Sequence, residues 1–127
     1  MPLVRIDLRV GRSEEFRIRL GDLVFAAMHE VANVPAGDRF QVISEHHAHG
    51  LIYDPDYLGI NRTDEVVFIQ ITLNSGRSVD VKRMLYARIA ELLNTELGMR
   101  TEDVLVNLVE VAKENWSFGN GTAQYAQ

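Results

Sequence analysis

The second residue of this chain, Pro2, is the one whose chemistry is least ordinary. Removal of the initiator methionine is expected when the second residue is small, and it would make Pro2 the amino terminus. Its nitrogen would then be a rigidly held secondary amine that is both basic and nucleophilic. Because an α-amino group titrates near neutral pH, its surroundings decide whether it acts as base, nucleophile or acid. Pro2 is therefore a candidate reactive amine, and the rest of the chain has to supply its partners.

A cluster of three histidines, His46, His47 and His49, suggests a second kind of chemistry, metal binding. His46 and His49 are three residues apart, which on a loop or strand end is a weak signal. No carboxylate or cysteine pattern completes a tetrahedral ligand set. We therefore predict no metal at this cluster.

Composition limits the classes of function. The 127 residues suit a single domain spanning residues 1–127. The formal charge of −5 disfavours a nucleic-acid partner, and no apolar run of about 18 residues indicates a membrane span. Cysteine is absent, and charges at Arg5 and Asp7 interrupt any signal-peptide core. We expect a cytoplasmic protein.

Hydrophobic periodicity predicts four strands and two helices. The strands are predicted over residues 2–8, 38–45, 66–73 and 104–109. The third is almost continuously apolar, which predicts burial on both faces. The first helix is predicted from about Ser13 to Ala32, and the second from Ser78 to near Gly98. Residues 115–127 are predicted to form a short C-terminal hairpin around Asn120-Gly121.

The two halves of the chain match at an offset of 65 residues. This offset places Gly11-Arg12-Ser13 on Gly76-Arg77-Ser78 and needs no gap. The match indicates a pseudo-repeat of residues 2–45 and 67–110, each half a strand–helix–strand unit with parallel strands. Two such units give an α/β (α+β) fold, a four-stranded mixed sheet with both helices on one face.

The same topology has two consequences for function. The sheet face without helices would be bare and largely apolar, so we predict a closed oligomer that covers it. In the first half, Asp38 begins the strand that runs parallel to the one opened by Pro2. We therefore expect the Asp38 carboxylate to lie close to the Pro2 nitrogen.

Several stretches carry a resemblance to a known family. Pro2 opening a strand, the duplicated unit and the Gly-Arg-Ser turns resemble the tautomerase superfamily. The stretches that resemble its malonate semialdehyde decarboxylase family are residues 34–41, 45–49, 58–63, 115–119 and 123–125. The resemblance spans nearly the whole chain, and Asp-Arg-Phe-Gln at 38–41 and Trp-Ser-Phe-Gly at 116–119 are its most specific parts.

The resemblance implies a homotrimer with a metal-free site in which Pro2, Asp38 and Arg77 are catalytic. It implies a small 3-oxo acid as substrate, with Trp116 and Phe118 walling the site. Some relatives carry two arginines in the turn before the second helix and others carry one. In this chain the turn holds one, Arg77. Asn74 is the candidate to replace the second arginine in binding substrate.

Alternatives stay open for both residues and function. Asp38 could merely cap a strand, Arg77 could be a surface arginine, and Trp116 and Phe118 could belong to the core or a subunit interface. The leading hypothesis is a cofactor-independent decarboxylase of malonate semialdehyde or a similar 3-oxo acid, a carboxy-lyase. The rivals are a tautomerase or a 3-haloacrylate hydratase or dehalogenase using the same residues, and a non-catalytic trimeric binding protein.

Overall fold

A four-stranded mixed sheet and two long helices form the fold in the computed structural model, which describes residues 2–126. The elements are β1 (Leu3–Arg9), α1 (Glu14–Val31), β2 (Gln41–His46), β3 (Val67–Asn74), α2 (Val79–Leu97) and β4 (Val104–Val111). The strand order is β2-β1-β3-β4, with β2 parallel to β1, β4 parallel to β3, and β1 antiparallel to β3. The predicted fold class is confirmed. The predicted start of β2 at Asp38 is three residues too early, and β4 runs two residues further than predicted.

Both helices begin in the same way. Gly11 and Gly76 each adopt a φ of 123°, a conformation that side chains other than glycine rarely allow. Ser13 and Ser78 then cap α1 and α2, each hydroxyl accepting the backbone N–H three residues on, at 3.0 and 3.2 Å. The Gly-Arg-Ser triplet is therefore a strand-to-helix turn in both halves.

The hydrophobic core lies between the helices and one face of the sheet. Its largest fully buried members include Ile6, Leu20, Ile69, Ile71, Leu85, Ile89 and Leu93. In β3 the buried residues alternate with Phe68, Gln70 and Thr72, which are half-buried or exposed. The prediction that β3 is buried on both faces is wrong for the isolated chain, because helices cover only one face.

The opposite face of the sheet is mixed rather than largely apolar. Val42, Leu105 and Val109 are exposed there, with 38–41 % of their surface accessible. Hydrogen-bonded polar pairs lie between them: the Asp7 and His46 side chains at 2.6 Å, and those of Gln70 and Asn107 at 3.0 Å. The sequence prediction overestimated how apolar this face is, since it counted strand composition rather than the side chains that point outward.

The 65-residue correspondence continues past the strands. Short 3-10 turns at Ala48–Gly50 and Lys113–Asn115 follow β2 and β4 at the same offset. The correspondence between the two halves therefore extends to residue 115.

The tail is not a β-hairpin, and that prediction is wrong. Asn120 and Gly121 have φ angles of 59° and 67°, as a tight turn there requires. No strand flanks this turn within the described part of the tail, residues 112–126. The Gln124 side chain closes it, accepting from the Phe118 N–H at 2.9 Å and donating to the Gly119 carbonyl at 3.0 Å. The Gln124 side chain therefore makes the bonds across this turn that a strand ladder would have made.

None of the helices in the described residues is long and apolar enough to span a membrane.

Candidate active site

One edge of the sheet gathers residues that are far apart in the chain. The strand register pairs the first residues of β1 with the first of β2 and the last of β3. It also pairs the last residues of β3 with the last of β4. Pro2 precedes β1, Asp38 precedes β2, Arg77 follows β3, and Trp116 follows β4. The topology therefore brings all four segments to the same edge.

Pro2 is buried and borders a cavity of about 220 Å³ at this edge. The other residues that border the cavity are Leu3, Phe40, Trp116, Ser117 and Phe118. The rings of Trp116 and Phe118 stack with centroids 5.3 Å apart, and the rings of Phe118 and Tyr125 form a T-shaped pair with centroids 5.2 Å apart. Pro2 thus faces an aromatic wall built by the tail.

Asn74 fixes that wall to the sheet. Its Oδ1 accepts a hydrogen bond from Trp116 Nε1 at 2.7 Å. An indole N–H can only donate, so this bond sets the orientation of the Asn74 amide. In the predicted substrate-binding residue the oxygen therefore accepts from Trp116, and the NH₂ group is the donor that it can offer a ligand.

Arg77 lies between the end of α1 and the end of β3. Its Nε and Nη2 donate to the carbonyl of Ala32 at 3.1 and 2.9 Å, and its Nη1 donates to the carbonyl of Asn74 at 3.3 Å. Ala32 is the C-cap of α1, where a cation is favourable. A guanidinium has five N–H groups, so these three bonds leave two for an anion. Arg77 is half-buried, not a free surface arginine, and it contacts Asn74 rather than the cavity wall.

Asp38 is buried, with 8 % of its surface accessible. Its backbone N–H donates to the Pro35 carbonyl at 3.0 Å, and the chain then reaches β1 through a bond from the Val4 N–H to the Phe40 carbonyl, also at 3.0 Å. Asp38 is therefore held at the sheet edge where Pro2 lies. Its proposed contact with the Pro2 nitrogen stays a prediction.

The residue that matches Asp38 in the second half has a different environment. Asp103 is 1 % exposed, and its carboxylate accepts from the Thr63 backbone N–H at 2.7 Å and from the Thr63 hydroxyl at 2.6 Å. Arg100 lies 3.6 Å from the same carboxylate. Asp103 is thus a structural acceptor, and its half of the repeat has Val67 where the first half has Pro2.

The histidine cluster lies elsewhere. His46 ends β2 and pairs with Arg9 of β1, which places it at the opposite edge of the sheet from Pro2. Within residues 2–126, no group of three or more potential ligand side chains is arranged to hold a metal ion.

Sequence reasoning missed two residues of the site, Phe40 and Tyr125. Phe40 borders the cavity although 48 % of its surface is exposed, and Tyr125 packs on Phe118. A large apolar residue beside a candidate acid was the available signal for Phe40. For Tyr125 the available signal was the Asn120-Gly121 turn, which folds the end of the tail back toward Phe118.

Comparison with known proteins places the chain in a family. Two family models, both described as tautomerase enzyme, match residues 38–119 and residues 2–61. The chain belongs to the tautomerase superfamily. It is 45 % identical over 124 residues to the probable tautomerase YusQ of Bacillus subtilis (strain 168), covering 98 % of each chain. The resemblance noted in the sequence is thereby confirmed.

Two solved members of the superfamily are also similar to this chain. One is FG41 malonate semialdehyde decarboxylase inhibited by 3-bromopropiolate, with 39 % identity, a TM-score of 0.91, and coverage of 97 % of this chain and 93 % of that one. The other is a malonate semialdehyde decarboxylase described as having decarboxylase and hydratase activities. It shows 32 % identity, a TM-score of 0.90, and coverage of 97 % and 95 %.

Proposed function

We propose that this chain is a cofactor-independent decarboxylase of malonate semialdehyde or a similar 3-oxo acid. The observation that carries the proposal is the burial of Pro2 against the aromatic wall formed by Trp116 and Phe118. The similarity to two malonate semialdehyde decarboxylases over nearly the whole chain supports the same reaction class.

The reaction needs a cation at the carbonyl and a holder for the carboxylate. Protonated Pro2 donates a hydrogen bond to the carbonyl oxygen of the substrate, and the two remaining N–H groups of Arg77 bind its carboxylate. The C–C bond to the carboxylate breaks and CO₂ leaves, while the electron pair of that bond moves toward the carbonyl, whose oxygen takes the Pro2 proton to give an enol. The enol carbon then takes a proton from water, the enol O–H returns its proton to Pro2, and acetaldehyde is released when the substrate is malonate semialdehyde. A neutral Pro2 would instead condense with the carbonyl, with loss of water, to an iminium that accepts the same electron pair, and water would then hydrolyse the product iminium.

The surroundings of Pro2 support these roles. Asp38, buried at the same edge, supplies the negative charge that keeps the Pro2 nitrogen cationic. Trp116 and Phe118 exclude water and lower the local dielectric, which strengthens each charged interaction. Asn74 contributes mainly by holding Trp116 in place.

Incubation with malonate semialdehyde tests the proposal directly. The protein is first shown by intact mass to lack Met1, a residue outside the described part of the chain, because an acylated Pro2 nitrogen has no basic lone pair. We expect acetaldehyde and CO₂, and a loss of at least about 100-fold in kcat/KM for Pro2→Ala. Full turnover by a folded Pro2→Ala variant would overturn the proposal and favour a non-catalytic binding protein or a site elsewhere.

A second candidate is a tautomerase or a hydratase or dehalogenase of 3-haloacrylates. It is favoured by the 45 % identity to a probable tautomerase and by the hydratase activity described for one similar structure. The protonation state of Pro2 separates the candidates. A neutral amine at pH 7 suits proton abstraction from an enol, whereas a cation suits decarboxylation or hydration. Titration of ¹⁵N-labelled Pro2 by NMR measures it.

We also propose that the protein is a cytoplasmic homotrimer. The exposed Val42, Leu105 and Val109 on the open sheet face support an assembly that covers them. Sedimentation equilibrium over a range of protomer concentrations tests the oligomeric state, and a monomer at micromolar concentration would contradict it.

A further inference from the structure

The two halves of the fold hold their matching acids in different ways. In the second half, β4 begins at Val104, directly after Asp103, and Thr63 binds the Asp103 carboxylate. In the first half, β2 begins only at Gln41, so residues 38–40 lie outside the regular strand. The backbone of this segment is bonded to β1 where the Phe40 carbonyl accepts from the Val4 N–H, and the side chains that flank Phe40 add contacts to α1.

Arg39 and Gln41 provide these contacts from either side of Phe40. Arg39 Nε and Nη2 donate to Gln41 Oε1 at 3.2 and 3.0 Å, and Gln41 Nε2 donates to the Gly21 carbonyl in α1 at 2.9 Å. Arg39 also pairs with Asp22 at 2.8 Å and lies over the Phe25 ring at 5.4 Å. We call Arg39 and Gln41, with their contacts on α1, the Arg39–Gln41 clamp.

Gly21 allows the clamp to approach the helix. A Cβ at this position would lie 2.7 Å from Gln41 Oε1 and 3.3 Å from Arg39 Nη2. Glycine is unfavourable inside a helix, so its presence in α1 has a cost that the close approach explains. The second half has no equivalent, since Tyr86 stands at the place of Gly21 and Val106 at that of Gln41.

We infer that the Arg39–Gln41 clamp positions Asp38 and Phe40 against Pro2. Arg39 and Gln41 are positioning residues that act through the segment they enclose, and neither needs to touch substrate. The half that carries Pro2 has the clamp and the other half does not, and the clamp's contacts lie on either side of Phe40 in the segment that leads into β2. This inference rests on the proposed site at Pro2 but not on the identity of the substrate.

The variant that tests the clamp is Gln41→Val, which removes all three side-chain hydrogen bonds of Gln41, two accepted from Arg39 and one donated to Gly21. Valine suits a half-buried strand position and is the residue found at the matching position in the second half. We expect a folded protein whose kcat for malonate semialdehyde falls about 10- to 100-fold, with a smaller change in KM, because reacting groups are misplaced. We also expect the pKa of the Pro2 nitrogen to fall, since the Asp38 charge no longer lies beside it.

A double-mutant cycle of Gly21→Ala and Gln41→Val tests whether Gly21 acts through the side chain of Gln41. Alanine favours the helix but displaces the Gln41 amide, so Gly21→Ala should lower kcat while leaving the helical circular dichroism intact. The double variant Gly21→Ala/Gln41→Val should be no less active than Gln41→Val alone, since the displaced group is gone. Effects that multiply instead would overturn the inference.

The Pro2 titration separates failure of the clamp from failure of the proposed function. If wild-type protein shows no decarboxylation but the pKa of Pro2 falls in Gln41→Val, the clamp stands and the substrate assignment fails. If wild-type protein turns over substrate and a folded Gln41→Val matches it in kcat, in KM and in the pKa of Pro2, the clamp inference is overturned.

Discussion

The hydrogen bond between Trp116 and Asn74 offers a sharp test of how the tail builds the site. The substitution Trp116→Phe removes the N–H that donates to Asn74 Oδ1 at 2.7 Å. It keeps an aromatic ring in place to stack on Phe118, whose centroid lies 5.3 Å away. The perturbation is therefore mainly the loss of one bond rather than the loss of the wall.

The expected cost follows from the environment of the bond. A neutral hydrogen bond contributes about 0.5–1.5 kcal/mol to the free energy of unfolding. Removing one partner costs more when the remaining partner is shielded from water, because water cannot replace the lost bond. Both Trp116 and Asn74 are half-buried, so water can partly replace the lost donor. We expect the free energy of unfolding to fall by about 0.5–1 kcal/mol. Because the aromatic side chains at 116 and 118 can then shift relative to Pro2, we expect kcat/KM to fall about three- to tenfold.

The assay is urea unfolding combined with steady-state kinetics on Trp116→Phe, Asn74→Ala and the double variant. Protomer concentration is held constant, because subunit association shifts apparent stability. If this hydrogen bond couples the two residues, the free energy of unfolding falls less in the double variant than the sum of the two single-variant losses. The difference should be about 0.5–1 kcal/mol.

A matched control pairs Trp116→Phe with Asn94→Ala. Asn94 is also a hydrogen-bonded asparagine, donating to the Met99 carbonyl at 2.8 Å at the end of α2. The loss of unfolding free energy caused by Asn94→Ala should simply add to the loss caused by Trp116→Phe. A coupling energy between Trp116 and Asn74 no larger than this control, or unchanged kinetics in Trp116→Phe, would refute the reasoning.

Three further predictions concern the frame of the site. Thr63→Val removes the hydroxyl that donates to buried Asp103 at 2.6 Å, so unfolding free energy should fall by about 1.5–3 kcal/mol, measured by urea denaturation. Ser78→Ala removes the N-cap of α2 and should cost about 1 kcal/mol, measured by thermal circular dichroism. The hydrogen bond from Lys82 is the main cause that lowers the pKa of Glu110, so Lys82→Met should raise that pKa toward its ordinary value, measured by ¹³C NMR titration.

Each of these predictions has a control or a contradicting result. For Thr63, the variant Thr63→Ser keeps the hydroxyl and should retain most of the stability. For the cap, Ser78→Asp should retain it, and an unchanged melting temperature in Ser78→Ala would be inconsistent with the cap. A carboxylate whose folded pKa is lowered stabilises the fold above its unfolded pKa and loses that contribution as the pH falls through the folded value. In Lys82→Met the free energy of unfolding should therefore depend less on pH in the acid range where Glu110 titrates. An unchanged pKa of Glu110 in this variant would contradict the role given to Lys82.

The elements of the fold could be predicted from sequence because their signals are local. The serine caps at 13 and 78 and the left-handed Gly98 mark helix ends within one residue. Alternation in residues 3–9 sets the buried face of β1, which holds Val4, Ile6 and Leu8. The shared Gly-Arg-Ser turn revealed the two units, and two parallel pairs joined by crossover helices leave few topologies to consider.

Predictions that depended on long-range placement were less reliable. The Asn-Gly turn of the tail was predicted, but the segment forms no strands because Gln124 makes the bonds that a ladder would have made. The composition of β3 suggested burial on both faces, yet side chains on its outer face are bordered by polar groups of β1 and β4. A pattern along one strand does not report what neighbouring strands place beside it.

The sequence by itself determined the two repeated units, the mixed sheet and the candidate amine at Pro2, because these follow from periodicity, capping and the chemistry of single residues. Only the tertiary structure decided which residues surround that amine. Trp116 borders the same cavity as Pro2 because β4 ends at the sheet edge where β1 begins, and Gln41 bonds to α1 because Gly21 lets the strand approach that helix. Such contacts join positions 20 to 114 residues apart, and local preferences along the chain carry no information about them.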